Sequence, residues 1–283
     1  MIFDKESAPV LSMDVDVSSL SFTYPSGVRA LDEINTHFRS GERVALIGQN
    51  GAGKTTLVKH LNGLLIPGSG SVKVGGWDTR DYSVAQMSAR VGYVFQNPDD
   101  QLFQRTVWDE MTFGPRNLGW SAEKVASHVQ AALELVSLEQ SKDKHLYDLM
   151  LSSRKFLAFA SVLAMDTPVL ILDEPTTGQD YLGVKRVGSI VDELHKQGKT
   201  IIGVSHDIDF CAEHFERAVI MANGRVILDG PARIVLAQSA ILAQTSVEPP
   251  QLMRLAEQLG WDFMPLTVQE FIQHLISWNS LPG

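Results

Sequence analysis

Leu11, Met13, Val15 and Val17 alternate with polar residues, a period of two that predicts a half-buried strand. Phe22 and Tyr24 carry the alternation to a turn at Pro25-Ser26-Gly27. Residues 43–48 form a short apolar run ending in glycine, the form of a buried central strand. A helix is predicted over 54–65, stopped by Pro67-Gly68. Ser121 is placed to N-cap a helix whose face is marked by Val125, Val129, Leu133 and Val136. Residues 154–165 read as a mostly buried helix, and Val169 to Leu172 as a buried strand ending in Asp173-Glu174. Val184, Val187, Val191 and Leu194 make another helical face, and Thr200 to Val204 a third core strand. Ala218 to Met221 and Arg225 to Leu228 flank Asn223-Gly224, a strong hairpin signal. Strands alternating with helices predict an α/β fold with a largely parallel sheet.

After Gly230 the pattern changes. Pro249-Pro250 marks a break, and Thr267 with Glu270 forms a capping box ahead of Phe271, Ile272 and Leu275. Residues 231–283 therefore read as a small helical extension, and residues 1–10 as a tail. No internal repeat or low-complexity tract is present. The formal net charge of -9 supplies no bulk basic field, so no nucleic-acid partner is expected. Cys211 is the only cysteine, which excludes an intrachain disulfide framework and fits a reducing compartment. The N-terminus has no basic region followed by an apolar run, so no signal peptide is expected. The longest apolar candidate, Phe156 to Met165, is far short of the ~20 residues that a membrane-spanning helix needs. A membrane role is expected to come through a partner.

Two motifs carry chemistry. Gly48-Gln49-Asn50-Gly51-Ala52-Gly53-Lys54-Thr55 fits G-x-x-x-x-G-K-[ST], with Thr56 following. The glycines let backbone N–H groups curl around phosphates, and the helix that follows adds the positive end of its dipole. Lys54 can reach the β- and γ-phosphates, and the Thr55 hydroxyl can ligate Mg²⁺. The motif follows a buried strand and opens a helix, the context it requires. The second motif is the carboxylate pair Asp173-Glu174. Phosphoryl transfer needs one carboxylate to hold Mg²⁺ and a group to orient the attacking water. Asp173 is assigned to the metal sphere and Glu174 to the general base.

In their order these motifs resemble the ABC ATPase family over residues 11–230. The resemblance implies ATP and Mg²⁺ as ligands and an α/β phosphate-loop core. It also implies an N-terminal antiparallel β subdomain and an inserted helical subdomain at about 98–165. Tyr24 sits where the family stacks an aromatic on adenine. Gln96 matches the glutamine that touches Mg²⁺ and water and senses the membrane subunit. Thr177-Gly178-Gln179-Asp180 matches the D-loop, and His206 the switch histidine that contacts the γ-phosphate. Gln96-Asn97-Pro98-Asp99-Asp100-Gln101-Leu102-Phe103 is similar to the ATPases of energy-coupling-factor importers of vitamins or transition-metal ions. So are Pro249-Pro250 and Leu266 to Phe271, which resemble that group's C-terminal extension and imply a region that pairs two ATPase subunits. A membrane-embedded coupling subunit, a substrate-binding membrane subunit and a peripheral location on the cytoplasmic face of the cell membrane follow from the same resemblance.

One motif departs from the family. ABC ATPases work as head-to-tail pairs in which the signature Leu-Ser-Gly-Gly-Gln of one subunit faces the nucleotide of the other. Counted back without gaps from Ala164, the corresponding stretch is Leu149-Met150-Leu151-Ser152-Ser153, followed by Arg154-Lys155. Met150 replaces the serine and neither glycine is present. A shifted register puts Ser152 in the serine's place but needs a two-residue deletion. Gln179 replaces the D-loop leucine. A homodimer would carry two impaired sites. A heterodimer with a second ABC ATPase would keep one competent site, and this is the favoured reading. The alternatives are that Ser152 or Ser153 serves well enough, that the subunit regulates without hydrolysing, or that the protein is a soluble ABC protein outside transport.

Overall fold

The structure, a computed structural model, describes residues 12–279. The predicted tail, Leu11 and the last four residues of the extension lie outside them.

The chain begins with β1 (Val15–Thr23), β2 (Arg29–Phe38) and β3 (Arg43–Ile47). Helix α1 (Lys54–Leu61) leads to β4 (Ser69–Val74) and the short β5 (Trp77–Asp78). Strands β1, β2, β4 and β5 make an antiparallel sheet in the order β2-β1-β4-β5. Val15, Val17 and Leu20 of β1 are buried while the residues between them face out, as the alternation predicts. Helix α1 is shorter than the predicted 54–65. The chain leaves it at Asn62 because Gly63 takes φ +78°, a left-handed turn that ends the helix before Pro67 is reached.

A one-turn helix α2 (Val84–Met87) precedes β6 (Val91–Val94). Helices α3 (Val107–Asn117), α4 (Ala122–Leu135) and α5 (Leu151–Leu163) then pack on one another. Ser121 caps α4 by accepting the N–H of Lys124, and Val125, Val129 and Leu133 are buried as the spacing requires. Helix α5 begins three residues earlier than predicted, inside the degenerate signature. Strand β7 (Val169–Asp173), α6 (Tyr181–Lys196), β8 (Thr200–Val204), α7 (Ile208–His214), β9 (Arg217–Ala222) and β10 (Arg225–Pro231) complete the second sheet. Its order is β10-β9-β3-β8-β7-β6, parallel except for β10. Strands β7 and β8 are buried at every residue, which is why they read as unbroken apolar runs.

Past Pro231 the chain forms α8 (Ala232–Leu236), α9 (Ser239–Gln244), α10 (Gln251–Gln258) and α11 (Val268–Asn279). These helices are not loosely appended. Ala232, Val235, Leu236, Leu242, Val247 and Met253 belong to the same buried cluster as α3–α5 and the outer face of the sheet. The predicted capping box is half formed. Thr267 Oγ1 accepts the N–H of Glu270 at 3.1 Å, but the Glu270 carboxylate accepts the N–H of Leu266 instead of that of Thr267. Its other oxygen takes Arg233 Nη2 at 2.7 Å and ties α11 to α8. Among the described residues no helix is long and apolar enough to cross a membrane.

Candidate functional site

Strands β3, β7 and β8 are neighbours, and their C-terminal ends deliver the phosphate loop, the carboxylate pair and His206 to one cleft. Gly48, Gln49, Asn50, Gln96, Glu174 and His206 all line this cleft of about 420 Å³. Open α/β sheets bind ligands at this end of their strands.

The loop needs its glycines for two different reasons. Gly53 takes φ +101°, and a Cβ there would lie 2.6 Å from the carbonyl oxygen of Ala30. At Gly48 a Cβ would lie 2.2 Å from the carbonyl oxygen of Met221. The loop is thus threaded between β2 and β9 with no room for a side chain at either of these two positions. Lys54 folds back over it and donates to the carbonyls of Gly48 at 2.6 Å and Gln49 at 3.1 Å. Burial pulls the Lys54 pKa down, and the nearby Glu174 and Asp173 carboxylates partly restore it. Helix α1 starts at Lys54, so the N–H groups of its first turn have no partner within the helix, a fit for a polyphosphate.

Asp173 ends β7, buried. Its Oδ1 accepts from Thr55 Oγ1 at 3.3 Å and its Oδ2 from Tyr93 Oη at 2.6 Å. Burial raises its pKa, and these two hydroxyls, Lys59 and Lys54 oppose the rise. A hydroxyl and a carboxylate side by side are hard oxygen donors, which suits Mg²⁺. Among the described residues no group of three or more His, Cys, Asp or Glu could cage a metal.

Glu174 is held in a left-handed conformation at φ +52°, unusual for a non-glycine residue, and its N–H bonds the carbonyl of Val204 at 2.8 Å. The sharp turn swings its side chain away from that of Asp173. Oε2 lies 2.6 Å from His206 Nδ1 and accepts the His206 backbone N–H at 3.4 Å and Thr177 Oγ1 at 3.5 Å. A carboxylate only accepts, so Nδ1 carries the proton in this pair. The His206 side chain is 64% exposed and the Glu174 side chain 9%, so the ring is free to leave the carboxylate while the carboxylate is fixed.

The other predicted residues fall as follows. Tyr24 lies beside the loop, its hydroxyl 3.1 Å from Thr56 Oγ1. Gln96 is exposed on the cleft wall. The turn that carries it is pinned by Gln101, which accepts the N–H of Phe95 at 3.0 Å and donates to the carbonyl of Ala158 on α5 at 2.6 Å. Asp180 caps α6 by accepting the N–H of Gly183 at 2.7 Å. Met150, Leu151, Ser152 and Ser153 form the start of α5, outside the cleft lining. Met150 occupies the N-cap with no side-chain cap, and both Met150 and Leu151 are exposed. Lys155 reaches back to the carbonyl of Thr177 and ties α5 to the turn after Glu174.

Two features of the site carried no sequence signal. Tyr93 lies in a fully apolar run and reads as core. Ser246, Val247 and Glu248 of the C-terminal segment also line the cleft. Val247 is buried in the main core, and Gln251, the first residue of α10, donates its N–H to Asp209 Oδ1 of α7 at 2.8 Å.

The sequence model of the ABC transporter family matches residues 31–177. An ABC transporter ATP-binding protein of Caldanaerobacter subterraneus is 41% identical over 91% of this chain and 45% of its own length. The chain spans about half the length of this and the two other curated relatives it first matches. The energy-coupling factor transporter ATP-binding protein EcfA of Carboxydothermus hydrogenoformans is 34% identical over 87% of this chain and 91% of its own. Among solved structures, CbiO1 of Clostridium perfringens, described as part of the ABC transporter complex CbiONQ, is 34% identical with a TM-score of 0.74. It aligns over 88% of this chain and 99% of its own. With the phosphate loop, Glu174 and His206 lining one cleft and the family model and these relatives matching, the chain belongs to the ABC transporter family of ATP-binding proteins.

Proposed function

We propose that this chain binds Mg–ATP and hydrolyses it to power an importer of the energy-coupling-factor type. The observation that carries the reading is the convergence of Gly48, Gln49, Asn50, Gln96, Glu174 and His206 on one cleft. Lys54 is bonded to the carbonyls of that loop and Asp173 to Thr55 at its end, and the loop leaves no space for side chains at Gly48 and Gly53. In this mechanism backbone N–H groups of the loop and of the first turn of α1, together with Lys54, hold the β- and γ-phosphates, and Tyr24 stacks on adenine. Thr55, Asp173 and Gln96 hold Mg²⁺, which neutralises charge on the phosphate oxygens when bound. The protein contacts of Glu174 all use Oε2, and Oε1 is the oxygen through which the carboxylate orients a water. His206 supports charge on the γ-phosphoryl group through Nε2. With Nδ1 donating to Glu174, Nε2 donates only if the ring is protonated; otherwise the exposed ring swings and presents Nδ1–H.

The degenerate α5 terminus supports an asymmetric pair with a second ABC ATPase. Met150 brings no hydroxyl to the position that faces the partner's nucleotide. The helical subdomain at about 98–165 and the apolar groove beside Gln101 and the exposed Phe103 and Phe113 are the proposed docking surface for a membrane-embedded coupling subunit. A separate membrane protein selects the vitamin or metal ion, and the ATPase pair sits peripherally on the cytoplasmic face of the membrane. Residues 231–283 are the proposed pairing region.

The deciding experiment is ATP turnover by this subunit alone and with its native ATPase and membrane partners. Near inertness alone and activity only with a second ATPase is the expected result. Brisk turnover as a homodimer would show that Leu149 to Ser153 still serves as a signature.

A further inference from the structure

Tyr93 has no place in the reading above, yet its hydroxyl makes the shortest hydrogen bond received by Asp173. The residue sits on β6, where it is the Cα partner of Ile171 on β7, two residues before Asp173. The Tyr93 ring packs against Phe95 with centroids 4.6 Å apart, and its hydroxyl reaches Asp173 Oδ2 at 2.6 Å. Both residues are almost fully buried, Tyr93 at 6% and Asp173 at 4% exposure. The remaining oxygen, Oδ1, accepts from Thr55 at 3.3 Å.

This arrangement solves a specific problem. The last torsion of an aspartate is broad, so a carboxylate at a strand end does not by itself choose which oxygen it offers a metal. A buried hydroxyl that can donate but is not itself a ligand fixes that torsion. It occupies Oδ2 and leaves Oδ1 on the side of Thr55, the other candidate ligand. Such outer partners typically change metal affinity 10–100-fold when removed.

We propose that Tyr93 is a positioning residue for the Mg²⁺ site, orienting Asp173 through its hydroxyl without touching metal or nucleotide. This rests on the assignment of Asp173 to the metal sphere. The ring of Tyr93 also forms part of the wall of the apolar groove with Phe95, Phe103 and Phe113. The group that orients the metal ligand therefore stands between the two surfaces, its hydroxyl on one and its ring on the other.

The test is Tyr93→Phe, which removes the hydroxyl and keeps the ring. Mn²⁺ bound with ATP to the purified protein would be titrated by electron paramagnetic resonance. Binding of ATP in excess chelator would be measured alongside. The expected result is Mn²⁺ binding weakened about 10-fold or more. Metal-free ATP binding and the unfolding midpoint should stay near wild type. Tyr93→Met serves as a second variant that also lacks the donor, and it should weaken Mn²⁺ equally. Unchanged Mn²⁺ affinity in Tyr93→Phe would overturn the proposal while leaving the ATP site intact. Absence of Mn²⁺–ATP binding in the wild type, or a wild-type affinity unaltered by Asp173→Asn, would overturn the metal assignment and the proposal with it.

Discussion

Glu174 and His206 are the pair whose removal reads out the chemistry most directly. Glu174→Gln keeps a carbonyl oxygen that can still accept from His206 Nδ1 and from the residue 206 N–H, the contacts at 2.6 and 3.4 Å. The fold should therefore be undisturbed, and ATP binding should be retained because Gly48 to Thr56 are untouched. The general base is lost, which typically costs 10²–10⁴ in rate, or about 2.7–5.4 kcal/mol of barrier. His206→Ala removes both a donor to the γ-phosphoryl group and the ring that bonds Oε2, with an expected loss of about 10²–10³. Independent effects would multiply in the double variant. Groups that act through one hydrogen-bonded unit do not multiply, so the double variant should lose little more than Glu174→Gln alone. The assay is single-turnover release of labelled phosphate from the assembled complex, with nucleotide binding measured separately. Turnover that survives Glu174→Gln would refute the general-base assignment and favour a regulatory subunit. A double variant showing the full product of the two losses would refute the coupled pair.

Gly53→Ala forces a Cβ toward the Ala30 carbonyl at a left-handed φ, and should cost about 2–4 kcal/mol of stability in a denaturant titration as well as ATP affinity. Burial raises the pKa of Glu110, partly opposed by the N–H groups of Gln104 and Phe103 that it accepts. Its folded state therefore holds a proton more tightly than the unfolded chain, and ionisation costs stability as pH rises from the ordinary value of 4.5 through the raised one. Glu110→Gln, whose carbonyl can accept both N–H groups, should be more stable than wild type at about pH 8 and no more stable at about pH 4, read from denaturant midpoints. Met253, 2% exposed on α10, should cost about 2–4 kcal/mol as alanine, measured by calorimetry, because the extension is part of the main core.

The parts of the fold legible in the sequence are those where burial is uniform or strictly alternating. Residues 200–204 match β8 at both ends because an all-buried parallel strand must be apolar throughout and stops where the cleft begins. Helix ends were less legible because they are set by backbone conformation. Gly63 ends α1 through a positive φ that the apolar pattern does not encode, and Met150 starts α5 without any of the capping residues that announce a helix. The capping box at Thr267 failed by half for a tertiary reason. Arg233, distant in sequence, claims one oxygen of Glu270 and turns the other toward Leu266.

The site divides along the same line. Glycines, Lys54, Asp173 and Glu174 are visible because phosphate chemistry demands those residue types at short, local spacings, whereas His206 is visible only through the family resemblance. Tyr93 was not visible, because on a strand buried at every position an aromatic is the expected core residue and only the neighbouring strand shows where its hydroxyl goes. Ser246 to Glu248 were invisible for a related reason: long-range packing of Leu242, Val247 and Met253 on the main core, with the bond from the Gln251 N–H to Asp209, holds that turn at the cleft. Asp209 lies on the helix that begins just after His206, so the C-terminal segment is anchored within one helical turn of His206. A swing of the exposed His206 ring alone leaves this bond untouched; only a ligand that shifts the backbone into α7 must carry the segment with it or break the 2.8 Å bond, and then differential contacts, not the extension's own chemistry, link the two.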